Sequence, residues 1–172
     1  MKQTYDLKPL SKQAIPSALA KAERYRLLNE PGEAESICRD VLRADPENQE
    51  ATVMLILALT DQFGRKPGLG VGEARDLLPR LSQEYDRAYY GGVISERWGK
   101  AQLRANVPGA VGYHWLREAM ASFQTAMALH PASNEEAVLR WNACARLLNN
   151  QESYAPVQAD SPAWHDEEVP PK

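Results

Sequence analysis

The sequence predicts an all-α protein of about seven helices, most of them in antiparallel pairs. Three observations lead to this prediction: a short segment recurs three times, apolar residues follow it at helical spacing, and Gly and Pro residues separate the copies. Self-similarity at a period of about 20–50 residues is typical of repeat proteins, in which each unit buries its apolar face against its neighbours. A chain of 172 residues is long enough for one such domain with a sizeable core.

The recurring segment sets the register of the repeats. Its copies begin at Gly32, Gly72 and Arg117, which are 40 and 45 residues apart, and each continues with Glu-Ala. Apolar residues follow four and seven positions after that alanine in every copy, so they share one face of a helix. We therefore expect each copy to open the second helix of a pair.

The first pair, at about 15–48, resembles a unit of the tetratricopeptide repeat (TPR) family, whose helix–turn–helix units have about 34 residues. Ala22 and Tyr25 match the small residue and the aromatic of that family's first helix. Ala34 matches the second helix, and Pro46 closes the unit. The resemblance implies a right-handed superhelix of antiparallel helix pairs, a TPR-like α-solenoid.

The second unit, at about 49–88, matches the family pattern least well. Its helices are predicted at 49–63 and 72–85, but Pro79 falls inside the latter. A proline inside a helix removes a hydrogen bond and costs about 3 kcal/mol. The sequence therefore predicts a kink or a break at this residue.

The third unit, at about 88–133, has its first helix predicted over 89–104. Gly- and Pro-rich stretches at 64–70 and 106–112 lengthen the turn between the two helices in the second and third units. One hypothesis is that residues 113–115, Tyr-His-Trp, fold the longer of these loops back over a binding groove.

The two ends of the chain differ from the repeats. Residues 1–11 are predicted to form an N-terminal extension to a domain at 12–149, and 134–149 a final helix that caps the third unit. From 150 to 172 the chain is rich in Pro and acidic residues, which predicts a disordered tail. Its acidic segment with a tryptophan, at 164–169, is either a solvated terminus or a short motif for another protein or for this protein's own groove.

Composition and charge exclude several classes of protein. A net charge of −3 and the lack of a dense Lys/Arg stripe argue against nucleic-acid binding. The longest apolar run, at 53–59, is too short to span a membrane, and the start of the chain does not resemble a secretory signal. Cys38 and Cys144 are expected to be buried free thiols, so the predicted location is cytoplasmic.

The sequence carries no catalytic signature, and we predict a protein that is not an enzyme and needs no metal or cofactor. His114, His130 and His165 lack the spacing of metal ligands on a helix, and no Gly-X-Ser-X-Gly motif is present. The neighbouring charges of Glu96 and Arg97 are interpreted as part of a solvated helix face.

The family resemblance implies that the first helix of each pair lines a concave face on which partner peptides bind. The corresponding residues of this sequence are Leu19, Glu23, Arg26, Glu50, Val53, Met54, Leu57, Tyr89, Val93, Glu96 and Lys100. Family members that grip the acidic C-terminus of heat-shock chaperones carry Lys, Asn and Arg there. Leu19, Glu23 and Met54 replace those residues here, which predicts no binding of that kind.

The preferred functional hypothesis is an interaction scaffold, a monomer or weak homo-oligomer that docks a peptide or helix of another protein. Docking would use the concave face or the long inter-helix loops. One alternative is a structural module that stacks on copies of itself. A less favoured alternative is a regulator that binds a small molecule or phosphate through Arg65 and Lys66 in the Gly-rich loop at 64–72.

Overall fold

The computed structural model describes residues 5–66, 69–105, 108–129 and 135–150. Within these ranges the chain is helical and has no strand, which confirms the predicted all-α class and the seven helices. The helices are α1 (Ile15–Leu27), α2 (Pro31–Ala44), α3 (Gln49–Asp61), α4 (Val71–Arg75), α5 (Glu84–Arg104), α6 (Gly109–Leu129) and α7 (Glu136–Asn149). Single turns of 3-10 helix lie at Lys12–Ala14 and Leu78–Arg80.

The starts of the first three helices follow directly from the local sequence. Pro16 and Pro31 occupy the first turns of α1 and α2, where the missing N–H costs nothing. Asn29 adopts a positive φ of 62° between these two helices, a conformation that Asn tolerates better than most residues. The side chain of Asn48 caps α3 by accepting a hydrogen bond from the N–H of Ala51 at 2.9 Å.

The second unit lacks a full second helix. The predicted helix at 72–85 is wrong as a single element, because α4 ends at Arg75 and Pro79 lies in the 3-10 turn that follows. Proline donates no N–H and disfavours helical geometry in the residue before it, so the predicted break occurs, but slightly earlier than expected. The chain after this turn enters α5, which begins at Glu84 rather than at residue 89.

The third pair corrects a second prediction. The expected loop at 106–112 is wrong over its last four residues, because α6 already begins at Gly109. Tyr113, His114 and Trp115 therefore lie in a helix, and the hypothesis that they form a loop over a groove is also wrong. A glycine is needed at position 112 of this helix, because a Cβ there would collide with the side chain of Leu103 on α5.

The helices enclose two groups of buried apolar side chains. The first is formed by α1 to α4 and includes Ile94 of α5, whereas the second joins α5, α6 and α7 around Phe123. The predicted free thiols are confirmed, since Cys38 lies in the first group and Cys144 in the second, and neither is bonded. No helix in the described ranges has the length and apolar character that a membrane span requires.

Several predictions fall outside the part of the chain that the structure describes. They concern the C-terminal end of the third unit and the start of the capping helix, at 130–134, and the tail from 151 to 172.

Candidate functional site

Ion pairs join the first of each pair of helices, α1, α3 and α5, through one carboxylate. Asp61 is the last residue of α3, and its Oδ2 accepts a hydrogen bond from Arg26 Nε of α1 at 2.8 Å. Arg97 Nη1 of α5 pairs with Oδ1 of the same group and donates to Thr60 Oγ1 at 2.7 Å. It also approaches the carbonyl oxygen of Leu57 at 3.3 Å. Cations suit the C-terminal end of a helix, whose last carbonyls lack partners within the helix.

A second cluster joins α5 to α7 around Glu96. Its carboxylate is only 3% exposed, and Arg140 Nη1 donates to Oε2 at 2.8 Å while Lys100 pairs with Oε1. Arg140 is fixed further because its Nε donates to the hydroxyl of Tyr89 at 3.0 Å. The ring of Tyr89 packs in turn against Phe123, with centroids 5.9 Å apart. The apolar core of the second half of the protein therefore holds this arginine in place.

The two clusters border a pocket of about 290 Å3. It is lined by Thr60, Asp61, Phe63, Arg65, Glu96, Arg97, Lys100, Arg104 and Arg140. Phe63 is buried and meets the ring of Trp98 edge-on, with centroids 5.2 Å apart. Gly64 follows with a positive φ of 76°, which lets the chain turn sharply after α3 before Arg65.

The pocket carries an excess of positive charge. Its lining holds five cationic side chains and two carboxylates, and each carboxylate is already shared between two cations. Arg65 donates to Asn29 Oδ1 at 2.6 Å, a neutral acceptor that leaves its charge uncompensated. Arg104 is exposed at the end of α5 and has no ion-pair partner among the described residues. An anion entering the pocket would therefore meet two cations, Arg65 and Arg104, that lack a carboxylate of their own among the described residues.

The surroundings of Arg97 lower the pKa of its guanidinium, and burial is the main cause. Asp61 opposes this effect, whereas the positive charges of Arg140 and Arg26 add to it. A further negative charge close to Arg97 would stabilise its charged form.

The residues predicted to bind a partner fall into three groups. Leu19, Tyr89, Val93 and Glu96 are buried; Arg26, Val53, Met54, Leu57 and Lys100 are half-buried; Glu23 and Glu50 are exposed. The buried members do not present an open surface, because three of them belong to the core and Glu96 is enclosed by its ion pairs.

Three of these predicted residues do come together at the site. Glu96 and Lys100 line the pocket, and Arg26 reaches it through Asp61. For the exposed and half-buried residues, a role in partner binding remains a prediction.

Sequence reasoning missed most of the cations. Arg97, Lys100 and Arg104 are spaced as one face of a helix, and this signal was available in the sequence. Arg140 and Asp61 reach the site from other helices, and no local pattern marks them. The interpretation of Glu96 and Arg97 as a solvated face is wrong, because each pairs with a different neighbouring helix.

The loop proposed for phosphate binding is divided in the structure. Arg65 lines the pocket, but Lys66 Nζ lies 3.1 Å from Glu35 Oε2 of α2, on a separate cluster. The loop at 64–72 leads into α4, which has only five residues, and residues 67 and 68 lie outside the described ranges. The two basic residues of the loop therefore do not form one site.

Comparisons with known proteins leave the site as the main basis for functional inference. No model of a known protein family matches the chain. Searches against curated proteins and against solved structures found no significant match. Among the described residues, no group of three His, Cys, Asp or Glu side chains is arranged to hold a metal ion.

Proposed function

We propose that this chain is a non-catalytic docking module of the cytoplasm that binds an acidic segment of another protein in the basic pocket. We further propose that its helix pairs stack as a TPR-like right-handed superhelix, in which the first helix of each pair lines the binding face. The observation that carries the proposal is the pocket itself, with five cations and two carboxylates in its lining.

The packing of the helices supports the proposed architecture. α2 contacts α1 and α3, α6 contacts α5 and α7, and the first helices of successive pairs contact each other, α1 with α3 and α3 with α5. This pattern of neighbours is the one that stacked helix pairs produce. The short α4 departs from it, since the second unit has barely more than one turn of its second helix.

The chemistry of the lining favours carboxylates as the bound groups. Four of its five cations are arginines, whose planar guanidinium groups form paired hydrogen bonds with carboxylates. A helix with its side chains is about 10–12 Å across, so a pocket of about 290 Å3 accepts side chains of a segment rather than a whole helix. We therefore favour a peptide that inserts one or two acidic side chains.

The polar groups near the pocket also support a binding role rather than a catalytic one. The hydroxyl of Thr60 donates to the carbonyl of Leu57 at 2.9 Å and accepts from Arg97, so no base activates it. Both cysteines are buried, and burial raises the pKa of each thiol to about 12. Thiols in such surroundings are poor nucleophiles.

The proposal is tested by selecting peptides from a random display library on the immobilised intact chain. We expect the selected peptides to be enriched in Asp and Glu, and to bind about tenfold more weakly when salt is raised from about 50 to 200 mM. The double variant Arg65→Glu/Arg104→Glu should lose at least tenfold in affinity for them, about 1.4 kcal/mol.

A matched control separates the pocket from overall charge. Lys21→Glu/Arg24→Glu makes the same change in net charge at two exposed residues of α1 outside the pocket, and its affinity should stay within about twofold of the original. Selected peptides without acidic residues, or equal losses in the two variants, would contradict the proposal.

Self-association remains the second candidate, and one observation favours it. Leu27 and Leu28 are 83% and 61% exposed at the end of α1, and Leu28 lines a surface cavity together with Lys21 and Tyr25. Exposed apolar side chains that lie together mark contact surfaces. Sedimentation at concentrations from about 1 to 100 μM distinguishes the two candidates, because a docking module keeps a constant mass.

A further inference from the structure

We infer that the basic pocket has an intramolecular ligand, the acidic segment at 160–168 of this same chain, which a partner must displace. This inference rests on the proposed function, because it assumes that the pocket binds acidic segments. The segment lies outside the described residues, and the inference is supported by its sequence, its distance along the chain and the charge of the pocket.

The charges of the chain are divided unevenly between the helical part and the tail. Residues 151–172 contain five of the 23 carboxylates but only one of the 20 Lys and Arg side chains. Residues 1–150 therefore carry one more cation than carboxylate, and the negative net charge of the protein comes wholly from the tail. Within the tail, Asp160, Asp166, Glu167 and Glu168 fall inside the proposed segment.

The charge complementarity is local as well as global. Three consecutive acids, Asp166, Glu167 and Glu168, match in number the excess of three positive charges in the lining of the pocket. Two uncompensated cations, Arg65 and Arg104, come from different elements, the turn after α3 and the end of α5. A run of acidic side chains supplies a separate carboxylate for each of them.

The segment is also within reach of the pocket. The tail leaves the described structure at Asn150, and Arg140 of the pocket lies ten residues earlier, about 15 Å along α7. Sixteen residues separate Asn150 from Asp166, and such a length spans up to about 55 Å when extended. The tether is therefore more than three times longer than the distance that it must cover along the helix.

Tethering makes even a weak contact effective. A ligand joined by a short linker has an effective concentration on the order of 1 mM. If the free segment binds with a Kd of about 0.1 mM, the tethered segment occupies the pocket about nine-tenths of the time. A competing peptide would then bind about tenfold more weakly than it binds to an empty pocket.

The test measures binding of a fluorescently labelled peptide, residues 160–169, to the intact chain and to two variants of it. Asp166→Asn/Glu167→Gln/Glu168→Gln removes three charges from the tail and should bind the labelled peptide about tenfold more tightly. Glu47→Gln/Asp76→Asn/Glu84→Gln removes three exposed carboxylates that lie outside the pocket lining, before α3, after α4 and at the start of α5, and should match the unaltered chain within about twofold.

The possible outcomes separate this inference from the proposed function. Equal affinity of the tail variant and the unaltered chain, in a protein that still binds display-selected acidic peptides, would overturn the inference and leave the proposed function standing. Failure of both peptide types to bind any form would overturn both. A mass that rises with concentration in the unaltered chain but not in the tail variant would show that the tail binds a second copy, which also overturns the intramolecular form.

Discussion

The close contact between α5 and α6 makes Gly92 a sharp test of the packing. A Cβ added to Gly92 would lie 2.6 and 2.7 Å from two ring atoms of Phe123, well inside van der Waals contact. The ring has no exposed surface and packs against the buried ring of Tyr89, so it has little room to move. The substitution Gly92→Ala therefore forces either the ring or the two helices apart.

The magnitude follows from two opposing effects. Overpacking of this kind costs about 1–3 kcal/mol, whereas replacing Gly by Ala inside a helix contributes about 0.5–1 kcal/mol. Gly92→Ala should therefore destabilise the protein by roughly 0.5–2 kcal/mol. The adjacent Gly91 is the matched control, because a Cβ there meets only Leu78 Cδ1 at an ordinary 3.7 Å. Gly91→Ala should stabilise the protein by about 0.5–1 kcal/mol.

The assay is urea unfolding followed by circular dichroism, with both variants compared at an unchanged m-value. Phe123→Leu provides a check by double-mutant cycle, since it should cost less in the Gly92→Ala background, where it relieves the overlap. Two variants of equal stability, or a cycle with no coupling between Gly92 and Phe123, would refute the reasoning.

Two further predictions concern ionisable groups in the interior. Cys38 and Cys144 should not react with a disulfide reagent at pH 8 while the protein is folded, and both should react in urea, because burial raises their pKa from 9.0 to about 12. Since the pKa of each thiol is higher in the folded than in the unfolded protein, the free energy of unfolding should fall as pH rises from about 9 towards 12. Cys38→Ala should reduce that fall. The same dependence of unfolding free energy on pH in both proteins would contradict the assignment. Burial raises the pKa of Glu35, but hydrogen bonds from Gln62, Arg39 and Lys66 outweigh it, and the net shift is downward. The stability that this carboxylate contributes is therefore present above its unfolded pKa of 4.5 and is lost as pH falls below that value. Glu35→Gln should therefore lose less unfolding free energy between pH 6 and 3 than the unaltered chain. An equal loss in the two proteins would contradict the assignment.

Much of the fold could be predicted because helix signals are local. Apolar spacing, the first-turn prolines and the asparagine cap at Asn48 act within one or two turns, and the helices of the first pair accordingly lie where the pattern places them. Gly112 shows where this reasoning fails. In sequence it indicates a loop, but in the structure it is the small residue that lets α6 approach α5. A glycine that is needed for its backbone freedom cannot be distinguished in the sequence from one that is needed for its small size.

The site could be predicted only in part for a related reason. The three basic residues of α5 share a face that the sequence reveals, but Asp61 and Arg140 reach them from α3 and α7. Which charges are neutralised and which remain in excess depends on how the helices are stacked, and no local pattern contains that information. Most of the apolar side chains expected to face a partner instead pack in the core, because folding requires apolar surface to be buried.

The placement of α5 has a consequence for how the molecule can be divided. This helix supplies Ile94 and Ala101 to the buried group of the first four helices, and Tyr89 and Val93 to that of the last three. A chain cut on either side of α5 would leave one fragment with an uncovered apolar surface where the helix had packed. The helix pairs are thus not interchangeable modules that can be added or removed singly, and the two halves are expected to unfold together as one cooperative unit.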